Sequence, residues 1–392
     1  MSAADTLGKA PATAGRAAPA VTVCRDAGEF AALASDWQDL HGRCRSATPF
    51  QSHAWLSSWW LSYGVPGRLR TVLVRDTADG RLLAAAPLWL APGPAPALVL
   101  LGGALTDYGD VLVDDDRPEA LAALAGALAA LARTAVIDLR EVRPGAAAER
   151  LHASWTGPRW RLPDSVCMEL PARPVDELAG RLPASRAQRA RAKLRRIDRE
   201  GVVARTVPPA EVPQAVARLL DLHRRQWAGR AVNPEHLTER FAEHLGRAVT
   251  AMAATGQARV TEFRLRGDAE RDVVAVDLTL LSPRLCGGYL YGADPVLRSL
   301  KVDIATLLLR TCAGAAAETG QGTLSLLRGE EPYKHHWRPE PVVNQRLLLA
   351  RGRTAPALWL RAGYARCRRF AADRLRDRAW VRRLRGGGGA GR

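Results

Sequence analysis

Behind the apolar run Leu324–Leu327 the chain places Arg328, Glu330, Glu331, Tyr333, Lys334, His335, His336 and Trp337 within ten positions. This set suits proton transfer at an anion-bearing substrate. Glu330 would take a proton from a nucleophile and Tyr333 would give one to a leaving group. Arg328 and Lys334 would hold a phosphate or carboxylate beside Trp337. The competing reading is a salt-bridge network that closes the last strand. His335 and His336 are adjacent, so on a strand they face opposite ways and make no metal pair. No Ser/His/Asp or Cys/His triad is suggested, which points to direct attack without a covalent enzyme intermediate.

These side chains need a strand, a loop, a helix and a second strand to position them. Gly288 to Gly292 reads as a short aromatic strand carrying Tyr289 and Tyr291. A loop with Asp294, Pro295, Arg298 and Lys301 leads into a helix from about Val302 to Thr319, stopped by Gly320. In such a βαβ-like unit the helix N-terminus offers free N–H groups to an anionic ligand. Further candidates lie on other elements. His223 and Trp227 stand at i and i+4 on a helix from Glu211 to Ala228, and a lone His there is either a general base or a structural residue. Asp107, Tyr108 and Asp110 sit in a Gly-rich turn, where they either contact ligand or make Asx turns. Gln51 precedes a helix whose Trp55 and Trp59 share one face as a core stripe.

Pro183 to Glu200 forms a helix with Arg186, Arg189, Lys193 and Arg196 at three- and four-residue spacings. Between Arg181 and Arg205 nine basic residues face only Asp198 and Glu200. Intrahelical pairs cannot neutralise that surplus; a phosphate-rich partner can. Two strands and a turn occur near residues 71 to 90 and again near 259 to 281, which predicts a duplicated unit. Gly157 to Leu170 reads as strands and turns linking the two copies.

At 392 residues the chain is too long for one ordinary core. A formal charge of +17 and a pI near 10.6 predict attraction to polyanions. The six cysteines show no CxxC or short Cys/His spacing, which fits a reducing cytoplasm and neither a zinc site nor a disulfide framework. Residues 1–20 read as disordered, without a signal peptide, and no stretch reads as a transmembrane helix. The tail from 351 to 392 holds 13 Arg against 2 Asp. It reads as a basic amphipathic helix with Leu358, Leu360, Tyr364, Phe370, Leu375 and Trp380, ending in flexible GGGGAGR. Such a helix lies on an anionic membrane or docks on its own protein.

The strand, loop and helix followed by LLRGEEPYK and Trp337 resemble the C-terminal half of the GNAT-type acyltransferase family named after CelD and BcsL. That family is associated with cellulose and exopolysaccharide production and is similar in fold to the FemAB aminoacyltransferases. Pro49–Phe50 with its tryptophans, GRLLAAAPLWL, the Arg-rich helix and His223-x-x-x-Trp227 extend the likeness from about Pro49 to Leu349. The resemblance implies an α/β (α+β) fold of two GNAT-like halves, 21–170 and 171–350, each a mixed twisted sheet flanked by helices, with the basic tail added at 351–392. It implies transfer of an acyl group, from acetyl-CoA or another acyl-CoA, to an amine or hydroxyl of a small-molecule or saccharide acceptor. By position, Tyr289 and Tyr291 would lie along the pantetheine, and Arg298 to Asp303 would meet the pyrophosphate. RSLKVD contains no glycine, however, and Asp303 would repel that group. Transfer from aminoacyl-tRNA, and a non-catalytic polyanion-binding protein, therefore stand beside the first reading. No metal and no specific DNA are implied, and the expected location is cytoplasmic, with peripheral contact at the inner membrane face as an option.

Overall fold

The computed structural model describes residues 18–93, 95–228, 233–267 and 273–386. The start to residue 17, residues 268–272, the final GGGAGR and the side chains of Leu375 and Trp380 lie outside the described residues. The first seven strands are β1 (Ala20–Cys24), β2 (Thr71–Arg75), β3 (Leu82–Ala86), β4 (Leu88–Ala91), β5 (Ala97–Leu100), β6 (Leu112–Val113) and β7 (Val136–Val142). The next seven are β8 (Arg159–Pro171), β9 (Val202–Thr206), β10 (Ala258–Leu265), β11 (Ala275–Leu281), β12 (Leu285–Ala293), β13 (Thr323–Arg328) and β14 (Glu340–Leu349). Among the described residues these form a four-stranded sheet, β1-β2-β3-β6, and a ten-stranded sheet, β4-β5-β7-β14-β8-β13-β12-β11-β10-β9.

The chain is two similar halves joined through one sheet. Each half contains an antiparallel hairpin, β2 with β3 and β10 with β11. Each also contains a parallel pair three residues long, β5 with β7 and β12 with β13. Parallel neighbours require a crossover, supplied by the helices Pro118–Leu131 and Ile304–Thr319. The second strand expected near residues 71 to 90 is divided at Pro87, which has no amide hydrogen for a ladder. There the chain leaves the small sheet as β3 and enters the large one as β4.

The halves exchange strands at the centre. Residues 159–170, expected as strands and turns, are one long strand: β8 continues from the first half but pairs with β13 of the second. In return β14 pairs with β7, and β8 and β14 run antiparallel beside one another. The packing follows the pairing. Leu347 and Leu349 of β14 fill the first-half core, and Leu170 of β8 fills the second. A third apolar cluster spans both, with Phe50 and Trp55 packed among Leu219, Phe241 and Leu290.

The aromatic helix His53–Tyr63 sits in that shared cluster. Trp55 is fully buried and its Nε1 donates to Thr106 Oγ1 at 3.1 Å, while Ser58 Oγ donates to the His244 carbonyl at 2.8 Å. Its tryptophans therefore serve as a core stripe holding the halves together. The last helix, Ala355–Gly386, docks by its first turns, with Leu358 and Ala362 buried against Val136 and Leu348. Leu360, Tyr364 and Phe370 stay exposed.

Candidate active site

β12 and β13 pair only from Leu285 to Gly287 against Thr323 to Ser325. Beyond that β12 stays with β11 as far as Ala293, while β13 bulges toward β8 between Ser325 and Arg328. Leu327 takes the left-handed conformation, φ 57°, which costs a branched residue roughly 1–2 kcal/mol. The parted strands open a cavity of about 530 Å³. Gly288 to Tyr291 and Leu324 to Arg328 form its strand walls, and Ala305, Leu308, Leu309 and Cys312 supply a helical wall. Ala104, Leu105 and Asp107 close it from the first half; Glu331, Tyr333, Lys334 and Trp337 close it from the second. The site thus lies between the halves.

The strained turn is held by Lys334. This residue is buried, and its Nζ donates to the carbonyls of Arg328 at 2.8 Å, Gly329 at 3.3 Å and Leu327 at 3.4 Å, while also pairing with Glu331 at 2.8 Å. Four oxygens share three donors, which leaves none for an acceptor's anion. Lys334 is therefore a positioning residue.

Arg328 is likewise engaged. Its guanidinium lies 2.9 Å from Asp107 and 3.2 Å from Glu141 and donates to the Ala104 carbonyl at 2.6 Å, pinning the first-half wall onto β13. Asp107 and Glu141 are buried, and desolvation pushes both carboxyls up against the opposing pull of Arg328. Tyr108 stands behind this wall, bonded at 2.8 Å to both Glu169 and Ser325. Gln51 does not reach across a cleft: its amide donates to the Tyr108 carbonyl at 2.5 Å and its oxygen accepts from Thr48.

Other expected residues lie elsewhere. Glu330 is exposed and absent from the cavity wall; the neighbouring Glu331 lines it instead. Tyr333 is half-exposed on the wall, and burial of its ring with the nearby Glu331 charge pushes its phenol up, so it holds its proton at neutral pH. His223 is buried behind β12, where Nδ1 donates to the Tyr291 carbonyl at 2.8 Å; desolvation lowers its pKa and it does not face the cavity. His236, which the sequence did not single out, lines the wall, its pKa lowered to about 4 by burial. Tyr289 lines the cavity and donates to the Leu105 carbonyl at 3.1 Å; Tyr291 also lines it. His335 and His336 are exposed on a short 3-10 turn rather than a strand.

The expected pyrophosphate loop is closed to an anion at the helix. Asp303 caps the helix Ile304–Thr319, accepting from Thr306 N at 2.9 Å, and Lys193 holds the same carboxylate at 2.8 Å. A carboxylate already occupies the place where free N–H groups would receive a phosphate. Lys301 has φ 58°, a left-handed turn that glycine adopts without strain. Arg298 and Lys301 are both exposed and neither lines the cavity.

Asp277 completes the site and was not anticipated. It lies on β11, 2% exposed, with a face on the cavity. The signal was present in the sequence as a lone acid inside the apolar strand VVAVDLTLL.

Residues 184–335 match the family described as an acetyltransferase (GNAT) domain. The second half carries a GNAT-type domain. Among solved structures the chain is similar to FemX, at 12% identity and a TM-score of 0.57, covering 80% of this chain and 95% of that one. It is similar to the C-terminal domain of an Agrobacterium fabrum protein assigned as a lysylphosphatidylglycerol synthetase, at 12% identity and 0.52, covering 86% and 96%. The structure of L-PGS from Bacillus licheniformis aligns at 13% identity and 0.50, covering 85% and 94%. At such identities the likeness shows the fold, which here is a pair of GNAT-like halves. No curated protein matches the chain.

Proposed function

We propose that the protein is an acyltransferase that works by direct attack in the cavity where β12 and β13 part. The observation that carries this reading is the parting itself: it leaves the β13-facing edge of β12 without a strand partner along Gly288 to Tyr291, beside a protonated Tyr333. Backbone N–H and C=O groups freed in this way bind an extended, amide-bearing arm as a further strand would. The nucleophile's lone pair attacks the acyl carbonyl and its proton passes to Glu331, directly or through water. The bond to sulfur or oxygen then breaks, and the leaving atom takes the Tyr333 proton. Glu331 replaces Glu330 in this role because it is the one on the cavity wall. The acceptor is an amine or hydroxyl of a sugar or cell-envelope precursor, in keeping with the CelD/BcsL resemblance.

Two donors fit. Acyl-CoA is the ordinary donor of GNAT domains and would thread its arm between the strands. Aminoacyl-tRNA is favoured by the capped helix, which gives a pyrophosphate no seat, and by Arg186, Arg189, Arg191, Arg195 and Arg199. All five are exposed on the helix Ala184–Arg199, and none has an ion-pair partner among the described residues. The names of FemX and of a lysylphosphatidylglycerol synthetase agree with this second donor. Calorimetric titration with acetyl-CoA and with charged tRNA separates the two. Saturable acetyl-CoA binding supports the first; tRNA binding that weakens steeply with salt and is lost when these arginines become glutamine supports the second. A folded protein that binds neither sinks both. The exposed Leu360, Tyr364 and Phe370 among arginines would hold the tail on an anionic membrane face, which sedimentation with phosphatidylglycerol vesicles tests.

A further inference from the structure

Three carboxylates line the cavity, and two of them bring their own cation. Asp107 lies 2.9 Å from Arg328 and Glu331 lies 2.8 Å from Lys334. Asp277 has no basic partner among the described residues. Its Oδ2 accepts from the Thr279 hydroxyl at 2.9 Å and meets the Cys312 thiol at 3.6 Å. Its Oδ1 has no hydrogen-bond partner among the described residues. The surroundings are apolar, with Leu309, Cys312 and Leu324 on the adjoining wall. An ionised carboxylate in such a place is costly unless a cation reaches it.

The approach to that oxygen is open because residue 288 is glycine. A Cβ there would stand 2.9 Å from Cys312 Sγ and 4.0 Å from Asp277 Oδ1. Any side chain at 288 would therefore crowd the gap between the parted strands and the carboxylate. The cavity thus ends on one unneutralised acid with two neutral hydrogen-bond donors beside it and a clear path to it. A neutral acyl chain needs no such acid, and a phosphate would be repelled by it. A primary ammonium, compact and carrying three donors, fits both its charge and its free oxygen.

We propose that Asp277 is the recognition site for a primary ammonium group carried into the cavity by a substrate. This rests on the acyltransferase reading and narrows it: at least one of the two substrates is an amine. The ammonium has two possible sources. On the donor it is the α-amino group of an aminoacyl group; on the acceptor it is the amine that will be acylated. The two sources place the charge differently relative to the acyl carbonyl, so paired probes distinguish them.

The test is binding to the full chain at pH 8, where the Asp277 carboxyl, pushed up to about 7 by burial, is ionised. N-butylglycinamide against N-butylpropionamide sets an ammonium against a methyl group beside an acyl carbonyl; hexylamine against hexanol does so for the acceptor. The expected result is that one ammonium probe binds about tenfold or more tightly than its neutral counterpart. That ratio should fall to about one in Asp277→Asn, and also in Gly288→Ala, which leaves the carboxylate in place but crowds its approach. Preference for the glycinamide assigns the donor, and preference for hexylamine assigns the acceptor. Equal binding of both members of both pairs by the wild type, or a preference that survives Asp277→Asn, overturns the proposal. Because the readout is binding, its failure is separable from failure of the transferase reading, which shows instead as absence of transfer from every donor.

Discussion

The Arg328 guanidinium lies 2.9 Å from the Asp107 carboxylate, and these two residues, one from each half, form the seam over the cavity. Glu141 and the Ala104 carbonyl share the same guanidinium. Replacing Arg328 by methionine leaves two buried carboxylates without a cation. Breaking a buried pair costs ~3–5 kcal/mol. The Arg328 side chain is 32% exposed, which moves the expected loss to the lower end of that range. The denaturant midpoint should fall accordingly, and adding Asp107→Asn should restore part of it.

Lys334→Met should be destabilising by about 2–3 kcal/mol, since the carbonyls of Leu327, Arg328 and Gly329 lose a buried charged donor. The same turn places Tyr333 on the cavity wall, so transfer should fall further than the loss of folded protein accounts for. Comparing activity per folded molecule, with folding measured by near-ultraviolet dichroism, checks this. Lys334→Arg is not expected to rescue, because a planar fork does not match three carbonyls gathered around one nitrogen.

Asp277 should make the unliganded protein less stable as pH rises. Its folded pKa is about 7, raised chiefly by burial from the 3.8 of an ordinary aspartate. The native state holds this proton more tightly than the unfolded chain does. The associated stability is fully present below about pH 4 and is lost as pH climbs through 7, amounting to on the order of 4 kcal/mol. Urea melts at pH 5 and pH 8 should show the decline, and Asp277→Asn should flatten this component. An unchanged difference between wild type and variant at the two pH values would count against the raised pKa.

Two glycines should respond oppositely to alanine. At Gly292 a Cβ would lie 2.5 Å from the Leu219 carbonyl oxygen and 2.6 Å from His223 N, both backbone atoms of the helix Val212–Trp227. Gly292→Ala should therefore cost about 1–3 kcal/mol through overpacking. Gly126, inside the helix Pro118–Leu131, has open space around its Cβ position, and Gly126→Ala should stabilise by about 0.5–1 kcal/mol. Thermal melts of the two variants should move in opposite directions.

The sequence disclosed what local pattern can disclose. Hairpin periodicity revealed the duplicated architecture, and the missing glycine in RSLKVD with Asp303 beside it anticipated a helix end unsuited to pyrophosphate. The strand exchange was hidden because β8 finds its partners in β13 and β14, more than 140 residues later, and Pro163 with its polar neighbours imitates a turn. Which of Glu330 and Glu331 faces inward depends on an irregular turn where Gly329 has φ 109°, and adjacent residues of one type carry no signal for that. Asp277 belongs to no polar cluster, and its pattern is a single acid with no charged company inside VVAVDLTLL.

Because β8 and β14 trade places, neither half owns all the strands it folds around. Severing the chain near residue 172 would leave each piece with a raw sheet edge where the other's strand belongs, and such edges invite aggregation. The product does not divide back into two; co-expressed fragments should be recovered together or not at all.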